Sequence, residues 1–561
     1  MPLTPFGLSF DHPGVEDPRA RAFYVAYAVL LFGVFAYFMS ASTWSPVSRL
    51  GLTRAVVERG VLDVDPWAEA TGDRAQRGGH WYTDKAPVPS FLAMPAYFVD
   101  HTVDSLRGIS PQFVSLSTPN MPARRVTVND SFARSLYVCS ISTASLAGVA
   151  VGLLVLLWLR RRCSASAAFA GSASVALATP VFPYSTCFYG HVVAAAFLLG
   201  GFVLLTRSAP SRAAIRGAGL LLVLASGSEY IVALPAAVLV VASLGRARAA
   251  APRMALDLAL GGVLPAVALG AYHAACFGNP FTTGYAFLPR AEFAGGHSQG
   301  FFGVSLPRAS AVVGLLVGPR RGLFLVAPVA AVGALGLGVR AVKGSFEERL
   351  AALLTMVLFV ANAGYYMWWG GAATGPRHLV PVLPFLALGV AWAWQHRWLR
   401  AITFALALVS FANMLAFTAV GVEAPEHGNS LIDYAWAGLV TGRIAHLSGA
   451  SNLGVRLGLP RNLSLAPLVV WLILGLRYLV LGAVDREGGQ LLVDGMSSKA
   501  SCELVSPTDV SPIGADESSP SGDEASSSVP KTRSSAAHAL NVVPASASET
   551  STSTPRGKRE T

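Results

Sequence analysis

The most informative shortage in this sequence is a shortage of charge. Only 13% of its 561 residues are Asp, Glu, Lys or Arg, whereas 53% are hydrophobic. Soluble domains carry about 25% charged residues, so this composition excludes a soluble multidomain protein. We therefore expect an all-α polytopic membrane protein.

Phosphate-binding motifs and paired cysteines are also missing. The chain has no GxxxxGK[ST] loop and no GxGxxG after a strand, so nothing indicates a nucleotide-driven pump. Its five cysteines show neither CxxC nor metal-type spacing. We interpret them as buried packing thiols, with an outer disulfide among Cys139, Cys187 and Cys276 as the alternative.

Apolar runs recur along most of the chain. A membrane-spanning helix needs roughly 17–25 apolar residues. About twelve runs approach this requirement, at 22–42, 136–159, 164–183, 191–206, 215–229, 230–245, 256–276, 323–340, 350–368, 379–395, 401–420 and 465–483. The pair 215–229 and 230–245 consists of two short halves, and a single long, tilted or broken helix is the alternative there.

Arginine and lysine cluster in short loops that the twelve-helix count places on the side of the N-terminus. Such clusters favour the cytoplasmic side. The five clusters are Arg160, Arg161 and Arg162; Arg207, Arg212 and Arg216; Arg246, Arg248 and Arg253; Arg340, Lys343 and Arg349; and Arg397 and Arg400. We predict a multi-pass protein of the cell's inner (cytoplasmic) membrane with both termini in the cytoplasm.

The composition divides the chain into two parts. Residues 1–484 form the predicted transmembrane domain, with a structured first outer loop at 43–135 and further outer loops at 277–322 and 421–464. From about Asp485 onward Ser, Thr, Pro, Ala and Glu dominate, and such a segment buries too little apolar surface to offset its chain entropy. We predict a disordered cytoplasmic tail over 485–561.

Polar clusters in the apolar part all fall at outer helix ends or in outer loops. They occupy residues 71–87, 182–191, 226–230, 276–285, 318–322 and 369–378. A transporter would concentrate polar groups near the midplane, in helices broken there. A single water-facing rim instead suits the handling of a lipid-borne head group at the membrane surface.

This rim carries cations that could bind a phosphate. Lys85 follows Asp84 in "HWYTDKAP", and Pro87 prevents a regular helix from continuing through the segment. Further candidates at predicted outer helix ends are Arg320, Arg321, Arg377 and His378. The alternatives are a snorkelling lysine and arginines that are solvated or bound to lipid head groups.

"HWYTDKAP" resembles the Y-x-D-K-x-P element in the first outer loop of family 39 glycosyltransferases of the GT-C superfamily, which include protein O-mannosyltransferases and the lipid A aminoarabinose transferase. Segments such as "GPRRGLFLVAPV" and "WWGGAATGPRH" resemble a bacterial subgroup of these enzymes. The resemblance covers the arrangement of roughly residues 20–420. It implies a GT-C-like fold with about 12 transmembrane helices, and transfer of a sugar from a polyprenyl-phosphate carrier on the non-cytoplasmic face.

The resemblance also implies roles and partners. Lys85 matches the family's carrier-phosphate lysine, and Asp84 and Pro87 match the flanking positions of the motif. The implied partners are membrane lipid and a polyprenyl-phosphate-linked sugar donor, with no nucleic acid. No cofactor is implied, since a phosphate is a good leaving group, although scattered outer histidines leave a divalent metal open.

The sequence departs from the family at the expected catalytic base. The family has an acidic residue, commonly in an Asp-Glu pair, just after the first membrane helix, whereas "SASTWSPVSRLGLTRAVVERG" contains no carboxylate before Glu58. As replacement bases we favour Asp73 and Asp84, which are close to Lys85 in sequence. Glu229 is a further candidate because it lies in an apolar stretch, with a structural ion pair or a wet helix end as the alternative.

Two other functions fit these observations. A transporter or flippase of a lipid-linked saccharide would move its substrate without sugar transfer. A scaffold that has lost the catalytic acid would bind the carrier without turnover. The sequence indicates neither the sugar nor the acceptor.

Overall fold

The computed structural model describes residues 18–110, 113–116 and 125–479 of the chain. The predicted tail at 485–561 lies outside these residues. Within them the chain is predominantly helical, which confirms the all-α expectation.

Long helices coincide with the predicted apolar runs. Their bounds are Pro18–Phe35, Asp130–Ser140 with Leu146–Leu159, Ala165–Ala178, His191–Leu205, Arg212–Ser228, Ala233–Ala247, Ala251–Phe277, Val329–Lys343, Phe346–Gly364, Leu386–Gln395, Arg397–Val420 and Arg461–Leu479. By length and composition, five helical stretches of the described chain could cross a membrane: Asp130–Leu159, Tyr230–Phe277, Arg377–Gln395, Arg397–Val420 and Arg461–Leu479. The number of twelve spans stays a prediction.

The doubtful pair at 215–245 is two helices interrupted at Glu229. Ser228 ends one helix, and Glu229 has extended backbone angles (φ −149°, ψ 113°). A single turn at Tyr230–Val232 then leads into the helix Ala233–Ala247. Because the helix is interrupted at this residue, the Glu229 side chain does not project from the surface of a regular helix.

Small residues allow the apolar helices to pack closely. A Cβ atom on Gly389 would collide with the backbone carbonyl of Gly333 in the neighbouring helix. Helix pairs in membranes commonly approach through such small residues, since lipid offers no hydrophobic force to hold them together. The large side chains, including Phe182, Phe385 and Phe417, fill the remaining buried core.

The segment 43–135 is called the first outer loop after its predicted position, and its described residues form helices and strands, as predicted. Its helices are Trp44–Arg54 and Val88–Leu106, and its hairpin strands are Arg74–Arg77 with His80–Thr83, and Phe113–Leu116 with Arg125–Val128. The hairpin at 74–83 turns through Gly78 and Gly79, both with positive φ (59° and 84°). Glycine adopts this conformation without steric cost, so the turn can be tight.

A short antiparallel pairing joins the beginning and the end of the described chain. Phe38–Met39 pairs with Ser451–Asn452. Beyond it, the Ser42 backbone N–H donates to the Ser448 carbonyl at 3.0 Å. The segment after the first helix therefore lies against the last outer loop.

The cysteines of the described residues are free thiols. Cys139, Cys187 and Cys276 are buried, and Cys163 is partly buried. The interpretation as buried packing thiols is confirmed for Cys139, Cys187 and Cys276, and the alternative of a disulfide among these three is wrong.

Arg321 is a structural residue, which differs from its predicted role as a phosphate ligand. Its side chain is fully buried. The guanidinium donates to main-chain carbonyls of three segments, at Arg320, at Trp369 and Gly371, and at Ala424 and Pro425. Because these carbonyls accept from its N–H groups, Arg321 holds the three segments together. It has no pair of free N–H groups with which to bind a phosphate.

We expect Arg321→Met to destabilise the protein strongly and Arg320→Met to do so weakly. Each buried carbonyl left without a donor costs about 1–3 kcal/mol. Arg320 instead lies over the Trp369 ring, with 5.5 Å between the guanidinium carbon and the ring centroid, a contact worth about 0.5–1 kcal/mol. Thermal unfolding of both variants in detergent measures the difference, and equal melting temperatures would contradict it.

Candidate functional site

Six of the predicted site residues line one cavity of about 910 Å³. They are Asp73, Asp84, Lys85, Glu229, Arg377 and His378. The first outer loop, the segment 365–378 and the segment 423–448 form much of its wall. Side chains that are far apart in sequence thus share one compartment of the size usual for a small-molecule site.

Lys85 is held between two carboxylates. Its Nζ lies 3.1 Å from an oxygen of Asp73 and 3.1 Å from an oxygen of Asp84. The residue sits between the strand His80–Thr83 and the helix Val88–Leu106, and its backbone N–H donates to the Thr83 hydroxyl at 3.2 Å. The ammonium therefore has a defined position on the cavity wall.

The carboxylates beside Lys85 respond to burial and to each other. Burial and, to a smaller extent, the charge of Asp73 raise the pKa of Asp84 to about 6, although Lys85 opposes the shift. Burial alone would lower the pKa of Lys85, but Asp73 and Asp84 outweigh it and the net shift is upward. Lys85 is accordingly a cation at neutral pH.

Arg377 is a cation without a carboxylate partner among the described residues. No acidic oxygen of the described chain lies within 4 Å of its guanidinium, and its buried Nε has no hydrogen-bond acceptor there. Its guanidinium carbon lies 5.7 Å from the centroid of the Tyr189 ring. A guanidinium without an acidic partner on a cavity wall is suited to binding an anion.

The glycine pair in "WWGG" makes room for Arg377. Gly370 and Gly371 both have positive φ (72° and 68°), which favours glycine. A Cβ atom on Gly370 would lie 3.1 Å from Cγ of Arg377 and 3.3 Å from Nε2 of His378. The turn brings its backbone against these two side chains.

Glu229 forms a buried ion pair, the alternative considered from the sequence. Its Oε1 lies 3.0 Å from Nη2 of Arg49 and 3.3 Å from Nδ1 of His191. Arg49 is 1% exposed and also donates to the Ala86 carbonyl at 2.8 Å. Glu229 lines the cavity, but its charge is already compensated.

The sequence analysis missed Arg49. It is the single charged residue of "STWSPVSRL", just after the first predicted helix. A lone cation in an otherwise uncharged segment was the available signal.

The sequence analysis also missed Glu423 in the last outer loop. Its Oε1 accepts hydrogen bonds from the Thr43 hydroxyl (2.6 Å) and from the Tyr189 hydroxyl. Burial in the cavity wall raises its pKa. The signal was an acidic residue directly after a helix end in "VGVEAPEH", whereas the predicted bases were chosen near Lys85 or within an apolar stretch.

A cluster of aromatic and imidazole rings forms another part of the wall. Tyr285 and His297 stack with 4.1 Å between ring centroids and 12° between planes. Tyr366 meets His297 edge-on at 5.0 Å, and Tyr365 meets His378 at 5.6 Å. Burial, and secondarily Lys85, lower the pKa of His297 to about 4, so its ring is neutral at pH 7.

Two further expectations can be compared with the structure. Arg320 is absent from the cavity lining and contacts the Trp369 ring. One group of metal-type ligands within the described residues lies close together, formed by Asp63, Asp65 and His80. None of these three residues lines the cavity. Ion pairs of His80 with Asp65 and of Arg59 with Asp63 explain why the three side chains lie close together.

Comparison with known proteins yields structural similarity only. Neither a protein-family model nor a curated protein sequence matches this chain. ArnT from Cupriavidus metallidurans bound to undecaprenyl phosphate matches with a TM-score of 0.45 and 16% identity, over 84% of this chain and 72% of that one. The same protein in its apo state matches with a TM-score of 0.45 and 16% identity, over 82% and 75%.

At 16% identity and a TM-score of 0.45, the similarity to ArnT assigns neither an activity nor a residue role to this chain.

We expect the native chain to lose stability relative to the Asp84→Asn variant as pH rises from about 4 to about 6. The folded pKa of about 6 exceeds the ordinary value of 3.8. The stabilising contribution of such a group is therefore present at low pH and is lost as pH rises through the folded pKa. Thermal unfolding of both proteins between pH 4.5 and 8 tests this, and parallel stability curves would contradict it.

Proposed function

We propose that this chain is an integral membrane glycosyltransferase that moves a sugar from a polyprenyl-phosphate carrier to an acceptor on the non-cytoplasmic face. The observation that carries the proposal is the pair of cations in one cavity. Lys85 is positioned there by two carboxylates, and Arg377 has no carboxylate partner among the described residues. A carrier phosphate would supply the missing anion.

The two cations suit different parts of a phosphate. The ammonium of Lys85 is a point charge, and the planar guanidinium of Arg377 can donate two parallel hydrogen bonds. When the bond between sugar and phosphate breaks, the departing phosphate gains negative charge. Preorganised cations stabilise that charge without having to reorganise.

The aromatic cluster supports a place for the sugar. Tyr and His rings offer flat surfaces together with hydroxyl and ring-nitrogen groups, which suit a polar ring with apolar faces. Tyr285, His297, Tyr365 and Tyr366 line the same cavity as Lys85. We propose that they contact the donor sugar.

The reaction would be an inverting displacement. The acceptor oxygen attacks the anomeric carbon, the carbon–oxygen bond to phosphate breaks, and its electron pair leaves with the phosphate. Asp73 and Asp84 were our preferred bases from the sequence, but both contact the Lys85 ammonium. In this geometry we propose that they position Lys85.

We expect Lys85→Ala and Arg377→Met each to reduce sugar transfer by about 10²- to 10³-fold, because each removes a charge that stabilises the departing phosphate. The measurement uses purified protein in lipid, a panel of radiolabelled polyprenyl-phosphate sugars and a membrane extract as acceptor. Arg397→Lys is the control, since Arg397 is exposed and absent from the cavity lining.

Two outcomes of this assay would contradict the proposal. Lys85-dependent donor binding without turnover of any donor would favour a scaffold. Movement of an intact lipid-linked saccharide across the bilayer without sugar transfer would favour a flippase.

A further inference from the structure

We propose that Glu423 is the general base that removes the proton from the acceptor hydroxyl. This inference rests on the proposed glycosyltransferase function and adds the residue that completes its chemistry. It starts from the charges of the cavity and from how each of them is compensated.

Three of the cavity's carboxylates are committed to cations. Asp73 and Asp84 each lie 3.1 Å from Nζ of Lys85. Glu229 lies 3.0 Å from Nη2 of Arg49. The charge of each of these carboxylates is already compensated by a cation, and protonation of the carboxylate would break that ion pair.

Two carboxylates of the lining, Glu423 and Glu426, have no cation within 4 Å in the described chain. Glu426 accepts a hydrogen bond from Nε1 of Trp369 at 2.8 Å, whereas the contacts of Glu423 are to hydroxyl groups. Thr43 and Tyr189 both donate to its Oε1. No Lys, Arg or His nitrogen of the described chain lies within 4 Å of the carboxylate, and Oε2 has no hydrogen-bond partner there. One oxygen is thus anchored and the other remains able to accept a proton.

Tyr189 relates this carboxylate to the proposed phosphate site. Its hydroxyl contacts Glu423, while the guanidinium of Arg377 lies 5.7 Å from the centroid of its ring. The proposed base therefore contacts the hydroxyl of Tyr189, and one proposed phosphate-binding cation lies near the ring of the same side chain. An inverting displacement needs such a separation, since the acceptor and the phosphate occupy opposite sides of the anomeric carbon.

The proton and electron balance follows from this arrangement. The acceptor O–H gives its proton to Oε2 of Glu423, and the oxygen's electron pair forms the new bond to the anomeric carbon. The electron pair of the broken bond leaves on the phosphate, beside Lys85 and Arg377. Glu423 then releases its proton to water, so no further reactant is needed.

The electrostatic surroundings of Glu423 suit this role. Burial raises its pKa, and Asp73 adds to this, while the hydroxyls of Thr43 and Tyr189 and the charge of Arg377 oppose it. A base whose pKa moves upward towards the working pH accepts a proton more readily in the transition state. The direction of this pKa shift is compatible with the role that the geometry gives to Glu423.

The role also fits the absence of the family's acidic residue from the segment after the first helix. The segment "SASTWSPVSRL" lacks a carboxylate, but it contains Thr43, which donates to Glu423. The pairing of Phe38–Met39 with Ser451–Asn452 brings this segment against the last outer loop. The acid that the first loop lacks is supplied from the other end of the described chain.

The test compares Glu423→Gln with the native chain in the sugar-transfer assay, using the donor on which the native chain is most active. We expect kcat to fall about 10²- to 10⁴-fold, the usual contribution of a general base. Binding of undecaprenyl phosphate, used as the probe of the phosphate site, should change less than about twofold, since Gln keeps the shape of Glu. Asp433→Asn, in the same outer loop but outside the cavity lining, should keep the native kcat.

Several results would overturn the inference. If Glu423→Gln keeps the native kcat, or if Glu426→Gln alone loses it, another group is the base. If Glu423→Gln loses undecaprenyl phosphate binding in the same proportion as kcat, Glu423 is structural. If the native chain transfers no sugar from any donor, the proposed function itself fails, and this inference fails with it.

Discussion

The cost of removing ionised groups from water governs the organisation of this protein. An ionised side chain in an apolar interior costs several kcal/mol unless an opposite charge or hydrogen bonds compensate it. Arg49 pairs with Glu229, and Lys85 pairs with two carboxylates. Arg321 is compensated by backbone carbonyls. Compensation is general in this region, and Arg377, which has no carboxylate within 4 Å and no acceptor for its Nε in the described chain, indicates where an anionic ligand would supply what is missing.

The same constraint explains the form of the surrounding backbone. Glu229 lies at an interruption between helices, where its side chain can reach Arg49. The glycine turn of "WWGG" supplies carbonyls to Arg321 and packs against Arg377. Irregular backbone is tolerated beside apolar helices when it is buried in protein or lines a wet cavity. The regular helices form the scaffold, and the interruptions position the charged side chains of the cavity.

Lys85 and Arg321 illustrate how far reasoning about local residue types reaches. Lys85 was chosen from a short motif with an acid before it and prolines after it, and it lines the cavity. Arg321 was chosen because arginine at a predicted helix end can bind phosphate, but its donors are used by carbonyls of Trp369, Gly371 and Ala424. Those carbonyls lie far along the chain, so no local pattern reveals that they compete for the guanidinium.

What the sequence by itself determined was the class of protein and the positions of its helices, because hydropathy is a local property. Only the tertiary structure decided which charges are compensated. Thr43 and Glu423 are 380 residues apart, yet they share a hydrogen bond. The partner of a buried charge is chosen by helix packing and loop closure, and these depend on contacts across the whole chain.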